Sequence, residues 1–337
     1  MLSLPLFAFP EKSPLVGIAR LASEGESLRE GHNVEYFTLP AKSLVNRCVS
    51  NRNLPFTWTI NPYRGCEFAC KYCYARYTHE FMELRDGAEF EKKIYVKQHT
   101  AELLRRDLRR VKPGEPIALG TATDPYQPAE RHYEVTRGIL EEFARHRGFE
   151  LGIVSKSNLI LRDIDLLREV ARSNALSIHI TVTTMNIELA RILEPRAPRP
   201  DLRMDAVRQL SEAGINVGVS SSPVLPGITD SPADLEAVVR AAAGAGARHI
   251  FAGPLFLKPC SAAIFLPFLE EHFPHLVGNY RQRFQDRSFL PASYGKRVAQ
   301  LITRFRQKYG IPRNDPRGAM YANKWPIQAL DEQLKLF

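Results

Sequence analysis

From Thr57 onward the chain alternates short β-rich runs with amphipathic stretches, and this alternation restricts the fold more than any other feature. Strands are predicted at residues 57–61, 116–120, 150–154, 177–182, 216–220 and 249–251. Between them apolar residues recur at helical spacing. One stripe is Val135, Ile139, Leu140 and Phe143; a second is Ile160, Ile164, Leu167 and Ala171. Val207 and Leu210 mark a third, and Leu235, Val238, Val239 and Ala242 a fourth. Gly148, Gly214 and Gly244 fall where helix C-caps are expected. Strand–helix alternation calls for a parallel sheet with right-handed crossovers. A complete eight-unit barrel needs ~250 residues, about 31 per unit. Residues 57–256 hold room for six units, which leaves a six-unit open barrel or a six-stranded open sheet. Residues 1–54 form an N-terminal extension without a clean period, with strand character at 34–39.

Composition narrows the class. With 44% hydrophobic and 25% charged residues, the 337-residue chain can bury a full core. Its apolar runs fall well short of the ~20 residues of a membrane span. The first ten residues are apolar but lack a basic lead and contain Pro5 and Pro10, so no signal peptide is expected and the cytoplasm is the expected location. The net charge of +9 is unevenly placed. From residue 275 onward there are 12 Lys and Arg against 4 Asp and Glu; residues 1–274 hold 34 against 33. The body is nearly neutral, and the overall charge does not make it a nucleic-acid binder.

Five cysteines are present, and Cys66, Cys70 and Cys73 lie within eight residues. An odd count clustered in this way is a poor disulfide framework and a good soft-metal or iron–sulfur site. A helix burying the three at i, i+4 and i+7 is opposed by Gly65 and by Asn61-Pro62, which favour a loop. A zinc site needs a fourth ligand, for which His79 is the candidate. A redox pair of Cys70 and Cys73 would leave Cys66 unexplained. A four-iron cubane on three thiolates keeps one iron open for a ligand that is not protein.

The stretch Cys66-Glu-Phe-Ala-Cys70-Lys-Tyr72-Cys73, with an aromatic just before its last cysteine, resembles the signature loop of radical S-adenosylmethionine (SAM) enzymes. The resemblance covers about residues 55–260 and implies the open six-unit (β/α) form, a partial TIM barrel. It also implies a [4Fe-4S] cluster on Cys66, Cys70 and Cys73, with SAM chelating the open iron through its amino and carboxylate groups. Tyr72 would contact adenine through its backbone. Cleaving a sulfonium C–S bond takes an electron at very low potential, and cluster potentials span roughly −700 to +450 mV. The resulting 5′-deoxyadenosyl radical abstracts hydrogen from a substrate, while the barrel excludes water and aims it. A low-potential donor such as flavodoxin or ferredoxin would be a partner.

Barrel chemistry sits at the C-terminal strand ends. Many such enzymes carry a Gly-Gly-Glu-like segment after the second strand. This chain instead has Gly120-Thr-Ala-Thr123-Asp124-Pro-Tyr-Gln-Pro-Ala-Glu130, with Thr123 and Asp124 nearest to that role and Asp124 able to accept a cationic amine. The string resembles the branch that includes spore photoproduct lyase and its uncharacterised relatives. Without a ligand it reads as a Pro-braced turn with Asp124 as a cap. Lys156 follows the third strand, as a SAM carboxylate or substrate contact or a solvated lysine. Thr183 follows the fourth as a ribose contact or an ordinary β residue. Ser222 follows the fifth, with Val224 or Leu225 as an adenine shelf. Gly253 lets backbone approach after the sixth. Arg203 could reach the SAM carboxylate or form an ordinary ion pair. Cys260 is a candidate hydrogen donor or a structural thiol.

Residues 261–337 form a basic C-terminal helical segment. In 293–309, Val298, Leu301, Ile302 and Phe305 make one stripe and Arg297, Arg304 and Lys308 an adjacent one. Interleaved aromatics (Tyr280, Phe284, Phe289, Tyr294, Tyr309, Tyr321 and Trp325) with Arg and Lys suit nucleic acid by phosphate neutralisation and stacking. A helical cap packed on the barrel bottom with a solvated charged face is the simpler reading, and no zinc-finger, RNA-binding or helix-turn-helix signature supports the other. Two other functional classes stay open: an iron–sulfur electron carrier or sensor without SAM turnover, and a zinc-stabilised nucleic-acid-binding module.

Overall fold

The computed structural model describes residues 15–31, 33–48 and 54–312. Its strands are β1 (Ser27–Gly31), β2 (Val34–Leu39), β3 (Val45–Arg47), β4 (Trp58–Ile60), β5 (Tyr63–Arg64), β6 (Lys93–Lys97), β7 (Ile117–Leu119), β8 (Glu150–Ser155), β9 (Ala175–Thr181), β10 (Val217–Val224) and β11 (Ile250–Pro254). All six predicted strands form, as β4, β7, β8, β9, β10 and β11, and they pair in that order within one seven-stranded sheet. The pairs from β4 to β11 are parallel; β3 joins the β4 edge antiparallel. The chain is therefore a mixed α/β fold around a parallel sheet wound in one direction.

Helices cross between these strands. Val135–Ala144, Pro200–Glu212 and Pro232–Gly244 bury the predicted stripes. The stripe from Ile160 is displaced: residues Asn158–Asp163 form a 3-10 turn, and the helix Ile164–Ser173 buries Leu167 and Val170 while Ala171 faces water. A 3-10 turn advances about 120° per residue against about 100° in an α-helix, so the face that follows it is rotated and Ala171 turns to water. Gly148 and Gly214 adopt positive φ near their helix ends, but Gly244 is the last helical residue and Gly246 takes the left-handed position instead.

The sheet has two unlike faces. On β9, Leu176, Ile178 and Ile180 pack into the main core. Ser177, His179 and Thr181 lie on the opposite face, in register with Gly152 of β8 and with Gly218 and Ser220 of β10. That second face is polar and built from small residues. At its centre the His249 ring lies tilted against His179 with centroids 4.6 Å apart, in space that a side chain at Gly218 would fill.

The N-terminal segment is more ordered than a cover. β2 forms as predicted, but it belongs to a second sheet, in the order β1-β2-β6-β5, backed by the helix Gly17–Ser23. Short strands rich in charge carry too little alternation to be read in advance. At the other end the helix Ala292–Lys308 buries Val298, Ile302 and Phe305 in the main core, with Leu301 half-buried. Arg297 pairs with Asp230 at 2.7 Å and Lys308 with Glu236 at 2.5 Å. Tyr294 and Tyr309 donate to the same two carboxylates, and Phe289 stacks on Phe256. These aromatics serve packing. Tyr321 and Trp325 lie outside the described residues. Among the described residues no helix is long and apolar enough to cross a membrane.

Candidate functional site

Cys66, Cys70 and Cys73 lie in a loop, not a helix, between β5 and a 3-10 turn at Tyr74–Thr78. Positive φ at Gly65 and Ala69 turns the backbone here. A Cβ on Gly65 would meet Phe90 O at 2.9 Å and Lys93 O at 2.6 Å, so only glycine lets the loop lie this close to its neighbours. The loop begins directly after the hairpin strand β5.

Two segments distant in sequence hold this loop. The first follows β7. Thr123 Oγ1 donates to Gly65 O at 2.6 Å, and Gln127 Nε2 donates to the same carbonyl and to Thr123 Oγ1. Glu67 N donates to Gln127 Oε1 at 3.0 Å, and the Glu67 carboxylate accepts from Ala129 N and Tyr36 OH. Asp124 accepts from Tyr126 N and Ser155 Oγ on one oxygen and from Lys156 N on the other, tying the segment to the end of β8. Burial raises the Asp124 carboxyl above its usual range, against the pull of these bonds.

The second segment runs from Leu193 to Arg196. Lys71 N donates to Leu193 O at 2.9 Å, and Arg196 N donates to Phe68 O. Between them Glu194, fully buried, accepts hydrogen bonds from Tyr72 OH and from Thr183 Oγ1. Arg203 pairs with Glu194 at 2.5 Å and donates to Pro198 O and Thr181 O. The Lys156 ammonium lies 5.8 Å from the Tyr72 ring centroid. Burial opposes the Glu194 charge, yet Arg203 and Lys156 hold its carboxyl below the ordinary range. Tyr72, Lys156, Thr183 and Arg203 thus meet around Glu194, which the sequence did not single out.

The three thiols share one apolar cluster with Phe68, Tyr72, Leu225, Leu255 and Phe265. Leu225 is on this side, whereas Val224 belongs to the main core. Burial pushes the Cys66 thiol well up, and Asp124 and the other two thiols push it further. Burial lifts Cys70 to about 12. Crowded thiolates repel one another and are held as the neutral thiols until a metal centre compensates their charge, and this donor set fits such a centre. Among the described residues no three His, Cys, Asp or Glu side chains gather about a point that suits one ion. A cubane does not ask for that, because each thiolate binds a different iron. His79, the fourth ligand a zinc site would need, is turned away. Its Nε2 donates to Lys93 O at 3.1 Å, its ring packs on Phe90, and burial lowers its pKa to about 4.

Ser222 and Gly253 meet each other: Gly253 N donates to Ser222 Oγ at 2.8 Å, so the space left by the glycine holds that hydroxyl. Cys260 opens the helix Pro259–His272, where its sulfur lies 3.8 Å from Ser261 Oγ and is influenced by Glu80. Ser261 in turn donates to Cys73 O at 2.8 Å. The helix thereby braces the last cysteine, with Cys260 itself directed toward the 3-10 turns. Cys48, at the end of β3, is half-buried beside Thr59.

A family model described as the Radical SAM superfamily matches residues 60–241, just over half of the chain. The protein Rv2578c of Mycobacterium tuberculosis is 36% identical over 278 residues, which cover 81% of this chain and 82% of that one. The protein MJ0683 of Methanocaldococcus jannaschii is 31% identical over 173 residues, covering 51% and 62%. Among solved structures, a spore photoproduct lyase variant with bound AdoMet and dinucleoside spore photoproduct superposes with a TM-score of 0.61 at 13% identity, covering 90% of this chain and 85% of that chain. Streptococcus suis SuiB bound to its precursor peptide SuiA superposes at 0.50 and 13% identity, covering 75% and 46%. At these identities the superpositions speak to the fold.

Proposed function

The chain belongs to the radical SAM superfamily, and from that premise we propose that it cleaves SAM reductively at a [4Fe-4S] cluster held by Cys66, Cys70 and Cys73. The observation that carries this reading is the cysteine loop itself: one buried and two half-buried thiols, no fourth metal-ligating side chain gathered with them among the described residues, and a backbone fixed from two sides. When bound, the cluster supplies the electron that breaks the SAM C5′–S bond, and the 5′-deoxyadenosyl radical so made takes a hydrogen atom from substrate.

The chain's own residues set the stage for that event. Six parallel strands in chain order, with a polar face of small residues, support an open barrel whose interior is that face. Lys156, beside Tyr72 and Cys70, is placed to receive the SAM carboxylate. Asp124 Oδ2 accepts a single hydrogen bond and keeps a lone pair for the SAM amine. Thr183 lies at the same strand end, and Leu225 offers an apolar wall for adenine. Ser222 bridges to Gly253 and shapes the far wall. Arg203 does not reach a ligand in this arrangement; it keeps Glu194 charged and in place. Cys260 keeps two readings, a hydrogen donor to a substrate radical or a structural thiol on the helix whose Ser261 braces Cys73.

Oxygen-sensitive thiolate chemistry supports a reducing, cytoplasmic location and a low-potential electron donor such as flavodoxin or ferredoxin. The substrate class is left to experiment. The decisive measurement is anaerobic reconstitution with iron and sulfide, then reductant and SAM, with 5′-deoxyadenosine quantified. Product is expected. An intact cluster that yields none marks an electron carrier instead, and a colourless protein retaining zinc marks the zinc module.

A further inference from the structure

Two cations on the second sheet, Arg64 and Lys97, form no ion pair among the described residues. β5 and β6 pair antiparallel with Arg64 opposite Tyr95, so Arg64, Tyr95 and Lys97 project from one face. Phe37 and Leu39 of β2 share it, in register with Tyr95 and Lys97. This is the face that packs on the helix Gly17–Ser23, on Met82 and on Leu84, so the surroundings are apolar. Lys97 is 6% exposed, and Arg64 is half-buried. Among the described residues neither side chain has a hydrogen-bond or ion-pair partner; only burial and through-space charges act on them. Asp107 is the carboxylate whose charge reaches Lys97, and it is already occupied by Ser43 Oγ, Leu44 N, Val45 N and the guanidinium groups of Arg106 and Arg110. Tyr77 and His79 also flank Arg64, and the first is a phenol and the second a buried neutral imidazole.

Buried charges in folded proteins are paired, because removal from water is otherwise uncompensated. Two neighbouring cations of like sign compound the cost. Burial and the Arg64 charge together lower the Lys97 pKa to about 7. We propose that Arg64 and Lys97 form a binding site for a phosphate-type oxyanion, beside but separate from the cysteine loop. The planar guanidinium offers two parallel donors to two oxygens, and the ammonium a point charge to a third, a pattern that matches a tetrahedral oxyanion better than a two-oxygen carboxylate. Arg64 precedes Cys66 by two residues, so a phosphate held here lies next to the loop and could fix one end of a phosphorylated substrate. The site does not depend on the cluster being present.

The test is calorimetric titration of the full-length protein with inorganic phosphate, and separately with acetate, at constant ionic strength. Wild type is expected to bind one phosphate per chain saturably. Lys97→Met, which puts an apolar chain into apolar surroundings and leaves the fold intact, is expected to weaken binding at least tenfold. Arg64→Gln is expected to do the same, and Lys97→Arg to retain binding. Absence of phosphate binding by wild type overturns the proposal, as does unchanged binding by Lys97→Met. Acetate bound as tightly as phosphate overturns the assignment to a tetrahedral oxyanion.

Discussion

At the scale of single residues, Glu194 and Arg203 organise more of the site than any other pair outside the cysteine loop. Their side chains are 0% and 1% exposed, and they meet at 2.5 Å. Truncating one member strands a buried charge, which costs about 3–5 kcal/mol, whereas replacing both with apolar groups removes the charge problem altogether. Glu194→Ala and Arg203→Met should each lower unfolding stability by about that amount in urea titrations, and Glu194→Leu with Arg203→Met by much less than their sum. Additive losses would show that the two residues act independently. His79 offers a second residue-level test. Its folded pKa is lowered to about 4 by burial, from an ordinary 6.5. The unfolded chain therefore takes up the proton first, and stability must fall as pH drops through the interval from 6.5 to about 4, then level off. His79→Gln should flatten that part of the stability–pH curve; an unchanged slope would assign it to other groups.

Among elements, the loop and its supports differ in how much of them a sequence reveals. Cys66, Cys70 and Cys73 are neighbours along the chain, so their spacing alone exposes the chemistry. Glu194 is 122 residues from Tyr72, and no local pattern announces a carboxylate that becomes important only when a helix end meets the cysteine loop. Thr123 and Asp124 were legible as a special turn, but their work is to hold Gly65 and the end of β8, a relation that spans 58 and 31 residues. Gln127 is the least conspicuous member of this group and the most connected, since it bonds Gly65, Glu67 and Thr123 while fully buried. Gln127→Ala leaves Glu67 N without its acceptor, a loss of about 1–3 kcal/mol. The reconstituted variant should also release iron to a chelator faster than wild type. Equal release rates would confine Gln127 to stability. Gly120 tests the same brace from its other end. It has φ +91, and a Cβ there would meet Pro125 Cδ and Val154 O at 2.6 Å, so Gly120→Ala should be strongly destabilising.

For the whole molecule, the charge of +9 and its concentration after residue 275 raised the question of whether the C-terminal segment is a nucleic-acid surface or a cap. The six-strand order was legible because each strand of a singly wound sheet is followed by its own helix. The small four-stranded mixed sheet was not, because β5 contributes two residues and β1 is largely polar. The tail belongs to the legible part: its apolar stripe was correct, and only its partners were missing. Those partners are now specific. Val298, Ile302 and Phe305 enter the main core, while Arg297 and Lys308 are spent on Asp230 and Glu236. A cap of this kind stabilises through burial, so Phe305→Ala should cost about 3–5 kcal/mol by the cavity it leaves. Deleting residues 293–337 removes all three anchors and exposes the helix Pro232–Gly244, and cooperative unfolding should be lost or the protein should become insoluble. Arg304, which is exposed, gives the contrast: Arg304→Ala should leave stability within about 0.5 kcal/mol of wild type. If the deleted protein instead stays folded and cleaves SAM while losing a salt-dependent affinity for nucleic acid, the segment is a binding surface, and its buried stripe is incidental to stability.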